Sequence, residues 1–245
     1  PALDRALEQY QRLAQRRPDV QHAVAGAVAL PDKLAQVLQA LATLDDGEVA
    51  ELRRVYFAVV QAAITVRPGT RLVDKMPLNL IHLPFIMRLF PDARFLVALR
   101  DPADCVFSGF MQHFGSNPAM NRLTSLEQGA AFYAEVMALL QQYRQVLPLA
   151  ERLHFVRYES LVEQWQETLQ AALDFIGVGW HENVEHYREH ALKRGTIATP
   201  SYQDVVRPLS KRATGRWYRY RHLLGDALAP LEPYRQLWGY RSDPS

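Results

Sequence analysis

The chain has 245 residues, 49% of them hydrophobic and 22% charged, with a formal net charge of +2. That balance describes an ordinary soluble globular protein with one sizeable core, and the small charge argues against nucleic acid as its partner. No apolar run reaches membrane-spanning length, and the first residues show no signal-peptide pattern. The single cysteine, Cys105, forbids an intrachain disulfide. With its abundance of Ala, Leu, Gln and Arg, the chain reads as a bacterial cytoplasmic protein, with Cys105 packed as a small hydrophobe.

Helical patterns come first. Residues 2–16 place Leu3, Leu7, Tyr10 and Leu13 at helical spacing, and Arg17-Pro18 ends the run. A second helix starts at Pro31-Asp32, carries Leu34, Val37, Leu38 and Leu41, and is broken by Asp45-Asp-Gly47. A third runs from about Glu48 to Thr65. No repeated signature makes these three an array, and they read as a helical segment over residues 1–68, beside a core over 69–245 in one domain.

Strands and helices then alternate. Arg71–Asp74 reads as a short strand, Leu78–Leu89 as a helix, and Phe95–Leu99 as the clearest buried strand. A helix opens at Pro102, with Asp101 as its N-cap. A polar loop, Gly115–Thr124, leads to a long helix, Leu126–Leu147. His154–Val156 reads as a third strand, and residues 159–176 as an amphipathic helix ended by Gly177. Thr196–Arg212 reads as a loop crossing the site, and Arg216–Leu224 as the start of the last helical region. Strands separated by helices predict a parallel sheet, and hence an α/β fold.

In such a sheet, the carboxyl end of a strand and the first turns of the next helix form the ligand crevice. Arg100 stands at that edge, and Ser108 follows about two helical turns on. A guanidinium fork and a hydroxyl so placed suit a phosphate monoester, and the helix N-terminus is expected to add donors and a favourable dipole. Taken alone, the same residues also read as a plain helix start with a surface arginine.

The wider series narrows the choice. Asp74-Lys-Met-Pro77 and Phe90-Pro91-Asp-Ala-Arg94 precede this unit. Val156-Arg-Tyr-Glu-Ser-Leu161, Thr199-Pro-Ser-Tyr-Gln203 and Gly215-Arg-Trp217 follow it. The ordered set resembles the sulfotransferases that use 3'-phosphoadenosine 5'-phosphosulfate (PAPS), over roughly residues 70–240. The likeness is strongest to protein-tyrosine sulfotransferases and to bacterial sulfotransferases associated with tetratricopeptide repeats. It implies a three-layer, P-loop NTPase-like parallel sheet flanked by helices. It also implies sulfuryl transfer from PAPS, without a metal, to an acceptor hydroxyl on a peptide tyrosine, a carbohydrate or a small molecule.

Residue by residue, Arg100 and Ser108 match positions that bind the 3'-phosphate. Lys75 matches a lysine beside the sulfuryl group and leaving phosphate. Tyr158 matches a tyrosine near the adenine or ribose, and Ser201 a serine contacting the sulfuryl-bearing phosphate. Arg216 matches a basic residue that reaches the 3'-phosphate, while Trp217 and Tyr202 read as packing anchors. The family's opening strand and its Gly-Thr-Thr phosphate loop have no counterpart here. The expectation is therefore a chain truncated at its N-terminus, or one in which that unit was not retained. The family's glutamate base cannot be placed, since Glu8 lies in an ordinary amphipathic pattern, and His82 suits a structural helix-face role.

Other readings are weaker. His186-Tyr-Arg-Glu-His190 spells an inverted zinc-peptidase pattern, but in a segment charged nearly all round, the mark of a solvated helix. A kinase-like transferase lacks a Gly-rich phosphate loop and an acidic magnesium pair. A non-catalytic interaction module with the sulfotransferase fold also fits the chain.

Overall fold

The computed structural model describes residues 34–112, 120–193 and 211–240, together with Arg5, Glu8, Gln9 and Arg12, which are helical. The rest of the expected 2–16 helix lies outside the described residues. Two compact units are found, Pro1–Ala93 with Ala138–Arg152, and Arg94–Met137 with Leu153–Ser245. No described helix is long and apolar enough to cross a membrane.

The first unit is helical. Helix α1 spans Leu34–Ala42 and α2 spans Asp46–Ala63. The start of α2 is set by a reciprocal cap: Glu48 N donates to the Asp45 carboxylate at 2.8 Å, and Asp45 N to the Glu48 carboxylate at 3.0 Å. Val49, Leu52, Tyr56 and Val60 then recur on one face and bury it against Val37 and Leu41 of α1 and Phe85 and Leu89 of the next helix. Arginines serve the carbonyls at helix ends. Arg88 donates to Leu41 O at 3.2 Å and also to Leu44 O, while Arg53 donates to Leu89 O. Asp45→Ala is expected to cost about 1 kcal/mol, measured by urea unfolding, because the Glu48 amide at the helix start loses its carboxylate acceptor.

Two expectations here need correction. The helix read over Leu78–Leu89 is split into a 3₁₀ turn, Pro77–His82, and helix α3, Leu83–Leu89. Pro84 explains the restart, since its ring is tolerated only in the first turn of a helix. The strand read at Arg71–Asp74 is not one, as those residues join no sheet. A strand needs a neighbour to receive its N–H and C=O groups, and no described strand lies alongside. Val73 is accordingly 73% exposed. Asp74 is instead tied to α2, accepting a 2.9 Å hydrogen bond from the Tyr56 hydroxyl. Burial raises the Tyr56 phenol above its usual range, and the Asp74 carboxylate adds to the effect.

The second unit holds the sheet. Strands β1, Phe95–Leu99, and β2, Leu153–Arg157, pair in parallel, with Phe95 opposite Leu153 and Leu99 opposite Arg157. Among the described residues the sheet has these two strands, not the three expected. Val97 and Leu99 of β1 are buried, whereas Leu96 is 42% exposed, so one face is covered rather than both. Helix α4, Pro102–Phe110, follows β1 and packs Ala103, Val106 and Phe107 against Ala130, Trp217, Leu224 and Leu231. The long helix α5 runs from Leu126 to Val146.

After β2 the expected single helix is two, α6 (Tyr158–Glu163) and α7 (Trp165–Ile176). The break is at Gln164, whose φ of −136° and ψ of 59° are not helical. The neighbouring Trp165 ring packs 5.8 Å from that of Trp180. Gly177 ends α7 as predicted, with φ 70° in the left-handed region that favours glycine. Helix α8, Tyr187–Lys193, comes next. The C-terminal part then runs through the 3₁₀ turn Arg216–Tyr220, helix α9 (Arg221–Leu224), the 3₁₀ stretch Gly225–Leu231 and helix α10 (Glu232–Leu237). A small parallel sheet within a mostly helical chain is an α/β arrangement.

Candidate functional site

Parallel pairing brings two of the expected site residues together. Arg100 directly follows β1 and Tyr158 directly follows β2. Because Leu99 lies opposite Arg157, the next residue of each strand emerges at the same sheet edge. The Arg100 guanidinium carbon stands 5.0 Å from the centre of the Tyr158 ring, close enough for a cation–π contact. The same guanidinium donates from Nη2 to Ala213 O at 2.5 Å. Its Nε is buried and has no hydrogen-bond partner among the described residues.

A second group of contacts fixes the chain around Ala213. Asp104, in the first turn of α4, is fully buried. Its carboxylate accepts the N–H of Gly215 at 2.6 Å and that of Trp217 at 2.9 Å. Oδ2 also lies 4.0 Å from Arg100 Nη2, at the outer limit of an ion pair. Burial raises the Asp104 pKa, opposed by the Trp217 amide, the Arg100 charge and the Gly215 amide. Trp217 is buried and its ring stacks on Tyr218 at 4.1 Å, the packing role expected of it.

Asp101 and Arg235 form the third part. Asp101 caps α4 by accepting Ala103 N at 2.8 Å. It also receives Nε and Nη2 of Arg235, each at 3.2 Å, in a two-pronged pair. Arg235 lies over the Trp217 ring at 4.7 Å and donates to the Tyr218 hydroxyl at 3.0 Å. Burial works against its charge, but the hydrogen bond and charge of Asp101 outweigh it and raise the pKa. Glu159, beside Tyr158, closes the network, accepting Asp101 N at 3.0 Å and the Tyr240 hydroxyl at 2.8 Å. Burial and then the Glu159 carboxylate suppress ionisation of Tyr240.

This arrangement corrects the expectation that the α4 N-terminus lends donors to an anion. The Ala103 N–H is taken by Asp101, and Asp104 puts a second carboxylate into the first turn. Positive charge at the site comes from side chains instead. Of the six residues expected to act, Arg100 and Tyr158 touch. Arg216 is half-buried between the two amides that Asp104 holds, and Ser108 is half-buried on α4. Lys75 is exposed in the first unit, just before the Pro77–His82 turn. Ser201 and Tyr202 lie outside the described residues.

Asp101, Asp104, Glu159 and Arg235 were not singled out as site residues from the sequence. One signal was present, an acidic pair at the cap and third position of a helix that begins directly after Arg100. Cys105 is solvent-accessible, yet crowded enough by its neighbours that burial raises the thiol pKa. His186 is exposed with Nδ1 3.3 Å from Glu189, and the side chain of His190 lies outside the described residues. Among the described residues, no three His, Cys, Asp or Glu side chains are grouped to hold a metal ion.

Comparison with known proteins gives a consistent pattern. A model of the sulfotransferase family matches residues 1–182. That span includes Lys75, Arg100, Ser108 and Tyr158, and it begins well upstream of the region where motifs could be read. Protein-tyrosine sulfotransferase 2 of Gallus gallus is 28% identical, over 80% of this chain and 55% of its own length. Protein-tyrosine sulfotransferase 1 of Danio rerio is 26% identical, over 61% of the chain and 42% of its own length. The protein-tyrosine sulfotransferase of Drosophila melanogaster is 26% identical, over 71% of the chain and 35% of its own length. The chain thus spans about half the length, or less, of these relatives.

Proposed function

The chain belongs to the sulfotransferase family, and on that premise we propose that it carries the nucleotide end of a PAPS-dependent sulfotransferase acting on protein tyrosine. The observation that carries this reading is Arg100. Its guanidinium is held at the sheet edge by Tyr158 and Ala213, and the buried Nε has no described protein acceptor. Such a fork fits a phosphate oxygen, and the Ser108 hydroxyl on the next helix supplies a neutral donor. Arg216 adds a second cation from the segment clamped by Asp104. Tyr158 offers a π-face to the nucleoside next to the charge that holds its phosphate.

In the reaction, the acceptor oxygen forms a bond to sulfur as the bond from sulfur to the 5'-phosphate oxygen breaks. The electron pair leaves with the phosphate, giving 3'-phosphoadenosine 5'-phosphate (PAP). The roles assigned to Lys75 and Ser201 are to balance the charge that develops on that leaving phosphate and on the transferring group. Arg100, Ser108 and Arg216 act at the far end of the nucleotide, where binding energy aligns the donor. The acceptor proton passes to a base outside this set. Tyrosine is favoured as the acceptor by the names of the relatives.

Calorimetric titration with PAP and with AMP tests the reading. PAP is expected to bind at least about tenfold more tightly, since AMP lacks the phosphate that receives charge-assisted hydrogen bonds. Equal affinity for the two, or no binding of PAP by the folded chain, overturns the proposal. Tighter binding of ATP with magnesium points to a kinase-like transferase instead.

A further inference from the structure

Asp104 behaves unlike an acidic residue that merely favours a helix start. A helper of that kind lies at the surface and serves the dipole or an amide of its own first turn. Asp104 is fully buried, and its carboxylate accepts hydrogen bonds from outside the helix altogether. The amides it accepts belong to Gly215 and Trp217, the residues on either side of Arg216. One carboxylate therefore fixes the backbone of Arg216 from both flanks. One helical turn back along the chain, the same carboxylate faces Arg100 Nη2 at 4.0 Å.

The turn is shaped for this contact. Gly215 has φ 65°, in the left-handed region, and a Cβ there would meet the Tyr218 ring at 3.3 Å. Arg100 also reaches the segment directly through Ala213 O. A carboxylate with no surface of its own cannot touch a ligand, so any effect it has on binding runs through the two arginines.

We propose that Asp104 is the positioning residue of the nucleotide site, locking the guanidinium of Arg100 and the backbone of Arg216 to each other so that both cations reach one 3'-phosphate. The proposal rests on the sulfotransferase reading above. It predicts a specific defect. Asparagine keeps the shape and one oxygen, but turns an amide N–H₂ toward a backbone N–H and removes the charge opposite Arg100. The 211–217 segment then loses its fixed position, and the second cation is no longer delivered.

The test is calorimetry with PAP and AMP on the wild-type chain, Asp104→Asn, Arg216→Ala and the double variant, beside thermal melts. Asp104→Asn is expected to lower PAP affinity about tenfold while AMP affinity changes by less than about twofold. In the Arg216→Ala background the same substitution is expected to cost clearly less, because there is no second cation left to place. Should Asp104→Asn fail to fold, Gly215→Ala disturbs the same turn from the other side and is expected to reduce the PAP preference in the same direction. If PAP and AMP affinities fall together with their ratio kept, Asp104 serves stability alone and this proposal is wrong. A wild-type chain indifferent to the 3'-phosphate overturns the nucleotide reading and this proposal with it.

Discussion

Replacing Arg235 by alanine is expected to destabilise the protein by about 3–5 kcal/mol, the usual cost of removing one partner from a buried ion pair. Arg235 is 3% exposed and Asp101 6% exposed. Without the guanidinium, the Asp101 carboxylate keeps the Ala103 amide but faces the protein interior as an unbalanced charge. The alanine variant also loses the flat contact with the Trp217 ring and the hydrogen bond to Tyr218. Urea unfolding followed by tryptophan fluorescence reads the effect directly. Arg235→Met keeps much of the packing volume, so most of its loss reports the stranded carboxylate. Pairing it with Asp101→Asn is expected to recover a large part of that loss, since an uncharged cap no longer needs a counter-ion. A loss below about 1 kcal/mol for Arg235→Ala would show that Asp101 finds water instead, and that the pair is weakly coupled.

The second large effect is on ligand binding. Arg100→Ala is expected to weaken PAP at least about tenfold and up to about a hundredfold, with AMP changed far less, because in the proposed function the lost contacts are charge-assisted and made to the 3'-phosphate. Arg100→Lys is expected to recover only part of the affinity. An ammonium restores the charge, but not the planar fork or the stacking on Tyr158. Some loss of stability accompanies either change, since Ala213 O and the buried Asp104 carboxylate both lose a partner. The ratio of PAP to AMP affinities separates binding from folding. An unchanged ratio in Arg100→Ala moves the 3'-phosphate to another part of the molecule.

How much of this was legible in the sequence depended on how local the cause was. Strand β1 and helices α2, α4 and α5 follow from spacing, caps and breakers held within a few residues of each other, and they were readable. The end of α7 was readable for the same reason, since Gly177 supplies its left-handed cap. Arg71–Asp74 was misread because a short apolar stretch becomes a strand only beside a neighbour. The break at Gln164 was missed because amphipathic spacing continues across it, while the backbone turns next to the Trp165 and Trp180 pair. At the site, Arg100 could be picked out as a strand-end residue and Tyr158 by resemblance, but their stacking is a product of register. Asp101 with Arg235, and Asp104 with Gly215 and Trp217, join residues more than a hundred positions apart, and no local pattern foretells them. Lys75 and Arg216 were named by resemblance alone, and only the second gained a structural setting.

The parallel pairing of β1 and β2 has a consequence for how the protein can change over time. Whatever lies between Leu99 and Leu153, the stack of Arg100 on Tyr158 is set by which residue faces which across the ladder, not by the length of the connection. Insertions or deletions in the connection between β1 and β2 therefore leave the pair untouched as long as the two strands keep their alignment. Lineages are free to remodel that connection while the contact between Arg100 and Tyr158 stays as it is. A slip of the ladder by one residue has the opposite effect, parting the two side chains without altering a single amino acid.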